Sequence, residues 1–262
     1  MAVAGIDMGS QSTKMVILEG DRILAAVILK TGESGESEAR QAMEEALRQG
    51  RLKRNDLTSV VATGAGRMSV PFAQKQRSTV GCLARGAYFL FPQARTVLDA
   101  GAESSTAIRL SADGTVEDSA GNDRCAAGAG IFLDTMSRML RIPVAQLGAE
   151  SLKAMRAETL SSTCAVFAES EVVSLVHRDP PVPIPDILAG IHKSMVDRLF
   201  ALTQRVGMPS QLVMTGGVSR NTGMIRAMEA KLGKPVLVPQ EPQMVGALGA
   251  ALVAQQSVIS DR

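Results

Sequence analysis

The sequence predicts an α/β protein made of two similar lobes that face each other across a cleft. The succession β-β-β-α-β-α occurs twice, and each copy opens with a strand that stops at Asp-x-Gly, at Asp7-Met8-Gly9 and at Asp99-Ala100-Gly101. Hairpins also open each half, which disfavours the alternative of one large doubly wound sheet. We place the lobes at residues 1–92 and 93–262, with the C-terminal helix free to pack back on the first lobe.

Short apolar runs predict the strands, and apolar residues at helical spacing predict the helices. In the first half the predicted elements are strands over 3–7, 14–18 and 23–29, a helix over 37–49, a strand over 57–63 and a helix over 78–90. In the second half they are strands over 96–101, 105–110, 115–119 and 211–215, helices near 128–140, 165–177 and 184–206, and two helices from about 221 and 244. Asp113-Gly114 predicts a hairpin turn, and the Pro-rich run 179–185 predicts a rigid surface loop.

Composition and charge exclude several classes of function. The 262 residues are 45% hydrophobic and 21% charged with a net charge of +2, so no basic surface for nucleic acid is expected. Aromatic residues make up 3% and Trp is absent, which removes stacking platforms for single strands. No charged leader precedes an apolar stretch, and no apolar run reaches the roughly 18–20 residues of a membrane span. We therefore expect a cytoplasmic protein whose three cysteines are reduced thiols or metal ligands.

The paired Asp-x-Gly turns predict a phosphate site. Glycine lets backbone N–H groups approach phosphate oxygens, and a carboxylate at a strand end, here Asp7, holds Mg²⁺ through water. The first turn offers amides, hydroxyls and one cation from Gly9, Ser10, Ser12, Thr13 and Lys14, and the second offers Asp99, Gly101, Ala102 and Glu103. Gly216 and Gly217, after a late strand, would pack bare backbone against the adenosine. Taken alone, each turn is more typical of a simple hairpin, and only the pair at equivalent places in the repeat favours a nucleotide.

Taken together, these residues resemble the acetate and sugar kinase, Hsp70 and actin superfamily over nearly the whole chain. A narrower resemblance rests on the strings 122–130, 161–171, 214–218 and 246–251. They are similar to the BadF/BadG/BcrA/BcrD-type ATPases, which include the ATP-dependent activators of 2-hydroxyacyl-CoA dehydratases and the ATPase subunits of benzoyl-CoA reductase. The resemblance implies two actin-like (ribonuclease H-like) lobes around an ATP cleft, with Gly128, Gly130 and Gly246 at the nucleotide.

The resemblance also implies a [4Fe-4S] cluster at a dimer interface, held by Cys125 and Cys164 of each chain. Such a cluster takes about four thiolates, and Cys82 sits in an apparent amphipathic helix, where a packed core thiol is expected. Cys125 and Cys164 each open a helical segment, whose positive end favours a thiolate. Two buried, inert cysteines or a zinc site remain the alternatives. The two histidines, His177 and His192, are interpreted as ordinary helix residues.

One departure from the resemblance bears on the type of ATPase. The dehydratase activators have Gly-Gly-Gln where this chain has Gly101-Ala102-Glu103, which favours a benzoyl-CoA reductase ATPase subunit. Glu103 would orient the attacking water, bind a second Mg²⁺ or lie as a surface charge. The implied partners are a second copy or a related subunit, a CoA-thioester reductase or dehydratase, and an upstream ferredoxin or flavodoxin.

Two other functions stay open at this point. A small-molecule kinase of the same superfamily needs a catalytic Asp in the first lobe, and the corresponding stretch 63–67 has none. A filament-forming relative would use ATP as a structural switch and has no need of paired cysteines at helix starts.

Overall fold

The computed structural model describes residues 1–32, 34–122, 130–160, 165–207 and 210–260. The chain divides into two compact units. The first unit contains Met1–Ala94, Leu110–Glu117 and Pro239–Arg262, and the second contains Arg95–Arg109 and Asp118–Val238. The C-terminal segment thus belongs to the first unit, together with the tip of a hairpin that starts in the second.

The first unit is built on a five-stranded sheet in the order β3-β2-β1-β4-β5. Its strands are β1 (Ala2–Met8), β2 (Ser12–Glu19), β3 (Arg22–Lys30), β4 (Leu57–Thr63) and β5 (Lys75–Gln76), and its helices are α1 (Glu36–Gly50), α2 (Thr79–Leu90) and α8 (Val245–Ser260). β1 pairs antiparallel with β2 and parallel with β4. The central strand therefore ends beside the hairpin turn on one side and beside the end of β4 on the other.

The period of two in β1 explains the layers of this unit. Ala4 and Ile6 face a core shared with α1, whereas Val3 faces a second core shared with α2 and α8. Both faces of the strand are buried, which is why its sequence is almost uniformly apolar up to Asp7.

Three glycines allow α8 to approach its neighbours closely. A Cβ at Gly5 of β1 would lie 2.1 Å from the Ala247 carbonyl oxygen, and a Cβ at Gly249 would lie 1.7 Å from the Cys82 carbonyl oxygen. A Cβ at Gly86 of α2 would lie 2.2 Å from the Val245 carbonyl oxygen. These three glycines are therefore needed for close backbone packing of α8 against β1 and α2.

This packing reverses the usual effect of an alanine in a helix. Gly249→Ala is expected to lower the free energy of unfolding by about 2 kcal/mol, because the added methyl overlaps the backbone of α2. In an unobstructed helix the same change is stabilising by roughly 0.5–1 kcal/mol. Gly50→Ala, at the end of α1 where the nearest atom is 3.4 Å away, is the matched control. Urea unfolding of both variants gives the sign, and a neutral or stabilising Gly249→Ala would contradict the packing.

The second unit repeats the topology of the first. Its sheet has the order β8-β7-β6-β9, with the strands β6 (Thr96–Ala100), β7 (Ser105–Leu110), β8 (Val116–Gly121) and β9 (Leu212–Thr215). β6 pairs antiparallel with β7 and parallel with β9, as β1 does with β2 and β4. Val213 of β9 also forms a parallel β-bridge with Leu237, which corresponds to the parallel pairing of β4 with β5 in the first sheet. The internal repeat predicted from the two Asp-x-Gly strands is therefore confirmed.

The helices of this unit bury one continuous apolar cluster. They are α3 (Gly130–Leu140), α4 (Val144–Ser151), α5 (Ala165–Val176), α6 (Ile184–Gln204) and α7 (Thr222–Leu232). α6 contributes Ile187, Ile191, Met195 and Leu199 at helical spacing, and it packs against α4 and α7.

Two elements were not predicted. α4 has eight residues with Val144 and Leu147 as its only large apolar side chains, too few for a helical period to be recognised. β5 has two residues and owes its existence to pairing with β4. All the predicted elements are present within the described residues, and their bounds differ from the prediction by at most two residues. Among the described residues, the structure contains no helix that could serve as a membrane span.

The hairpin tip packs on α2, which explains why Leu110–Glu117 belongs to the first unit. The Tyr88 hydroxyl of α2 donates a hydrogen bond to the Ala112 carbonyl oxygen at 3.2 Å. Gly114 adopts a φ of +82°, and a Cβ there would lie 2.4 Å from the Tyr88 ring. The predicted turn at Asp113 and Gly114 is thus a turn that also packs on an aromatic face.

Candidate functional site

In the first unit, the candidate site is built around the carboxylate at the end of β1. The β1–β2 register places Asp7 opposite Lys14, and the hairpin is closed by a hydrogen bond from the Gly9 N–H to the Ser12 carbonyl oxygen at 3.0 Å. Asp7 Oδ2 and Lys14 Nζ are 3.6 Å apart, with side chains 15% and 13% exposed. The two predicted residues are therefore brought together as one partly buried ion pair.

Backbone from distant parts of the chain encloses this carboxylate. A Cβ at Gly64, which follows β4 with a φ of +90°, would lie 2.5 Å from Asp7 Oδ1. A Cβ at Gly246, in the first turn of α8, would lie 3.0 Å from Asp7 Oδ2. Gly246 was predicted to line the site, whereas Gly64 was missed. Its signal was the Gly64-Ala65-Gly66 run directly after a buried strand.

The protonation of Asp7 is set by two opposing effects. Burial raises the pKa of this carboxyl, and the charge and hydrogen bond of Lys14 lower it. The N-terminal turn of α8 also presents the positive end of its helix dipole here. Burial makes the negative charge of this carboxylate costly, and Lys14 balances only part of that cost. The carboxylate is therefore suited to binding a further positive charge.

The hydroxyls of the first turn divide into two groups. Ser10 is exposed and Ser12 is half-buried, so both are accessible from solvent. Thr13 is fully buried, and its Oγ1 lies 2.9 Å from Thr31 Oγ1, which in turn donates to the Gly9 carbonyl oxygen at 3.0 Å. The Thr13 side chain therefore braces the turn, while the accessible serines are the hydroxyls open to a ligand.

In the second unit, the candidate site is built around Asp99 at the end of β6. Because β6 and β9 run parallel and in register, the Thr215 hydroxyl reaches Asp99 Oδ1 and donates to it at 2.8 Å. The sequence indicated Thr215 only as part of the glycine turn, so its contact with the carboxylate was missed. The contact fixes the orientation of Asp99 at the mouth of the following turn.

The turn after β6 is held by the start of α3. The Gly101 N–H donates to the Ser104 carbonyl oxygen at 2.9 Å, and the Gly130 N–H donates to the Gly101 carbonyl oxygen at 2.8 Å. The Ile131 N–H donates to the Ala102 carbonyl oxygen at 2.9 Å. Three of the predicted nucleotide-binding residues, Gly101, Ala102 and Gly130, are therefore in direct contact.

The Gly216-Gly217 turn packs against the same strand end. Gly216 has a φ of +85° and a ψ of 175°, a conformation open essentially to glycine alone, and a Cβ there would lie 2.3 Å from the Ala100 carbonyl oxygen. Gly217 is exposed and opens a short 3-10 turn, Gly217–Arg220, whose Val218 lies close to Gly130. Apart from Glu103, the described residues predicted for this half of the site thus meet at one edge of the second sheet.

The remaining predicted residues fall into two groups. Glu103 is exposed at the tip of the second turn. Cys125, Cys164 and Gly128 lie outside the described residues. Within the described ranges, no group of three or more His, Cys, Asp or Glu side chains is arranged to hold a metal ion.

Cys82 is a core thiol, as its helical position predicted. It is fully buried in α2, and burial raises its pKa to about 11 despite a hydrogen bond with Thr63. A thiol with that pKa stays protonated at neutral pH and is a poor metal ligand.

Comparison with known proteins shows the family of the chain. The model of the BadF/BadG/BcrA/BcrD ATPase family matches residues 4–254. The "Activator of lactoyl-CoA dehydratase" of Anaerotignum propionicum is 42% identical over 258 residues, covering 98% of each chain. A benzoyl-CoA reductase subunit of Thauera aromatica is 35% identical over 262 residues, covering 95% of this chain and 91% of that protein.

Solved structures confirm the predicted fold class. The activator of the 2-hydroxyisocaproyl-CoA dehydratase from Clostridium difficile, solved with bound ADPNP, superposes with a TM-score of 0.94 at 39% identity, covering 100% of this chain and 97% of that one. A ROK hexokinase from Thermus thermophilus shares the fold alone, with a TM-score of 0.55 at 16% identity over 99% of this chain and 100% of its own. The chain belongs to the BadF/BadG/BcrA/BcrD ATPase family.

Proposed function

We propose that this ATPase is the activator of a 2-hydroxyacyl-CoA dehydratase: a homodimer that hydrolyses ATP and passes one low-potential electron to the dehydratase. The observation that carries the proposal is the similarity to dehydratase activators along the whole chain, 41% and 42% identity to two of them, against 35% to the benzoyl-CoA reductase subunit. The two glycine turns supply the matching chemistry for a nucleotide.

This proposal replaces the interpretation, based on the sequence of the second turn, that the chain is a benzoyl-CoA reductase ATPase subunit. That preference rested on Ala102 and Glu103, and the relatives do not support it. Ala102 does not have a positive φ, and its carbonyl oxygen accepts a hydrogen bond from the Ile131 N–H. A glycine is therefore not required at position 102, so the exchange of Gly for Ala there says little about the partner enzyme.

We assign the residues of both turns to ATP and Mg²⁺. In the first unit, Asp7 would hold Mg²⁺ through water, and Lys14 with the amides and serines of the turn would neutralise phosphate oxygens. In the second unit, Asp99 and the Gly101–Ala102 backbone would do the corresponding work, and Gly216 and Gly217 would lie against the adenosine. Glu103 is exposed and free to orient water, which remains one of its three candidate roles.

Removal of the Asp7 counter-ion provides a test of the first turn. Lys14→Met is expected to lower kcat/KM for ATP by about a hundredfold, because it removes one preorganised cation from the site. It is also expected to move the acid limb of the pH profile to higher pH, since Lys14 lowers the Asp7 pKa and its loss leaves burial to raise it. ATPase rates between pH 5 and 9 measure both effects. Lys30→Met at the end of β3 is the control, and an acid limb that stays in place would contradict the assignment.

The cluster is the second part of the proposal. Two chains would hold it through Cys125 and Cys164 of each, since about four thiolates are needed and the Cys82 thiol is buried, protonated and thus unsuitable. When bound, the cluster supplies the low-potential electron. The chain itself would couple the nucleotide to the cluster. ATP and ADP can shift the dimer between two conformations only because each nucleotide binds the two conformations with different affinities.

Metal analysis tests the proposal. After anaerobic purification and size-exclusion chromatography, we expect about four iron and four sulfide per two chains. An iron-free dimer that retains full ATPase activity would overturn the electron-transfer function and leave a nucleotide hydrolase.

A further inference from the structure

His192 is a buried histidine with both ring nitrogens engaged. It lies in the middle of α6 with 1% of its surface exposed. Nδ1 lies 3.0 Å from Ser151 Oγ, and Nε2 lies 3.2 Å from Asn221 Nδ2. Helical spacing had marked it as an ordinary helix residue, whereas its partners come from α4 and from the residue that precedes α7.

The surrounding hydrogen bonds assign the proton on this ring. Ser151 Oγ donates to the Gly148 carbonyl oxygen at 2.7 Å, so it accepts from His192 Nδ1–H. Asn221 Oδ1 accepts from the Met224 N–H at 3.1 Å, so its amide nitrogen faces the ring and donates to Nε2. The imidazole is therefore neutral with its proton on Nδ1, and burial lowers its pKa to about 4, which keeps it neutral.

The close approach of α7 to the ring depends on a glycine. A Cβ at Gly223 would lie 2.5 Å from His192 Nδ1 and 2.2 Å from Ser151 Oγ. The first turn of α7 is thus seated directly on the imidazole, and the sequence leaves no side chain between them.

Asn221 links the histidine to the glycine turn. It caps α7, and its N–H donates to the Val218 carbonyl oxygen at 3.0 Å. The Ser219 N–H donates to the Gly216 carbonyl oxygen at 3.2 Å, and its hydroxyl donates to the Thr215 carbonyl oxygen at 2.8 Å. Hydrogen bonds joined by short stretches of backbone therefore lead from the imidazole to the turn and, through the Thr215 hydroxyl, to Asp99.

We propose that His192 is a positioning residue of the nucleotide site: its Nε2 fixes the Asn221 amide, and Asn221 fixes the backbone of the Gly217–Arg220 turn against which the adenosine lies. This inference rests on the assignment of that turn to ATP in the proposed function. His192 itself makes no contact with the nucleotide in this account.

Two substitutions, each of which keeps a polar atom near one ring nitrogen only, separate positioning from packing. Gln places a carbonyl oxygen near the position of Nε2 and retains the acceptor for Asn221, whereas Asn places an amide near Nδ1 and retains only the bond to Ser151. Both side chains are smaller than the histidine they replace, so neither overlaps the neighbouring atoms. Both variants are therefore expected to fold.

The measurement is calorimetric titration of the full-length dimer with MgADP, alongside thermal unfolding without nucleotide. We expect His192→Asn to weaken binding about tenfold, the effect of one buried hydrogen bond, and His192→Gln to stay within about twofold of the wild type. Ser151→Ala, which removes the partner of Nδ1 alone, is the control and is expected to behave like His192→Gln. Equal affinities for the Gln and Asn variants would overturn the proposal.

A second route keeps the test decisive if His192→Asn unfolds. Asn221→Ser retains an oxygen to cap α7 but removes the amide donor, so it should weaken MgADP binding by the same factor of about ten. A wild-type affinity in Asn221→Ser would overturn the proposal. Failure of the wild type to bind MgADP would instead refute the nucleotide assignment itself, whereas loss of the electron-transfer function alone leaves the positioning role intact.

Discussion

Replacing Gly216 with alanine is expected to weaken nucleotide binding by about a hundredfold and to lower the free energy of unfolding by about 3 kcal/mol. Two effects add. The residue has a φ of +85° with a ψ of 175°, which only glycine adopts readily, and the new Cβ would stand 2.3 Å from the Ala100 carbonyl oxygen. The backbone cannot relieve the overlap without parting the end of β9 from the end of β6, and that shift carries the Thr215 hydroxyl away from Asp99.

Gly233→Ala is the matched control for this substitution. Gly233 ends α7 with a φ of +70°, and no atom lies within 4 Å of the place that a Cβ would take there. Its substitution therefore measures the strain of positive φ alone, about 1 kcal/mol, with nucleotide affinity unchanged. Urea unfolding and MgADP titration compare the two. Equal losses of stability would contradict the predicted overlap with the Ala100 carbonyl oxygen, and full nucleotide affinity in Gly216→Ala would show that the turn does not form part of the site.

The second large effect is expected from the two cysteines assigned to iron. Cys125→Ser and Cys164→Ser should each remove most of the iron from the dimer. Each substitution is present in both chains, so the shared cluster loses two thiolates out of about four. Electron transfer to the dehydratase should fall to background, while nucleotide binding by the separate glycine turns persists. Iron analysis, electron-transfer assays and MgADP titration on the same preparations measure all three.

Cys82→Ala is the control for the cysteine variants. This thiol is buried in α2, so its loss should cost stability by leaving a small cavity but leave the iron content unchanged. Iron lost from Cys82→Ala and retained in Cys125→Ser would reverse the ligand assignment. Full iron in both Cys125→Ser and Cys164→Ser would remove the cluster from these residues altogether.

The sequence was sufficient for the parts of the site that depend on local structure. Buried strands that end in a polar residue and a glycine are visible as short apolar runs, so both Asp-x-Gly turns were placed correctly. The Asp7–Lys14 pair follows from the same hairpin, since a turn over 9–12 sets residues 7 and 14 opposite each other. The repeated order of strands then followed from the repeated pattern.

The missed contacts depend on parallel pairing and helix packing between distant segments. Gly64 reaches Asp7 because β4 lies parallel to β1, and Thr215 reaches Asp99 because β9 lies parallel to β6. No local pattern records those registers. His192 has the spacing of a core residue in α6, and only the packing of α4 and α7 against that helix shows that both of its nitrogens are engaged.

The benzoyl-CoA reductase preference shows how little two residues of one turn reveal about a partner enzyme. Ala102 has an ordinary backbone conformation, and the contact it makes with α3 uses its carbonyl oxygen, which any residue would supply. Glu103 is exposed. The surface that meets a partner is spread over many side chains, which is why identity over the whole chain is the better guide to the type of ATPase.

The most direct test of the account is an anaerobic assay of a 2-hydroxyacyl-CoA dehydratase with this protein, a reduced ferredoxin or flavodoxin, and ATP supplied as its Mg²⁺ complex. The account predicts dehydration of the 2-hydroxyacyl-CoA only when the protein and hydrolysable ATP are both present. Dehydration that proceeds equally well with a non-hydrolysable ATP analogue, or that never depends on the protein, would contradict it.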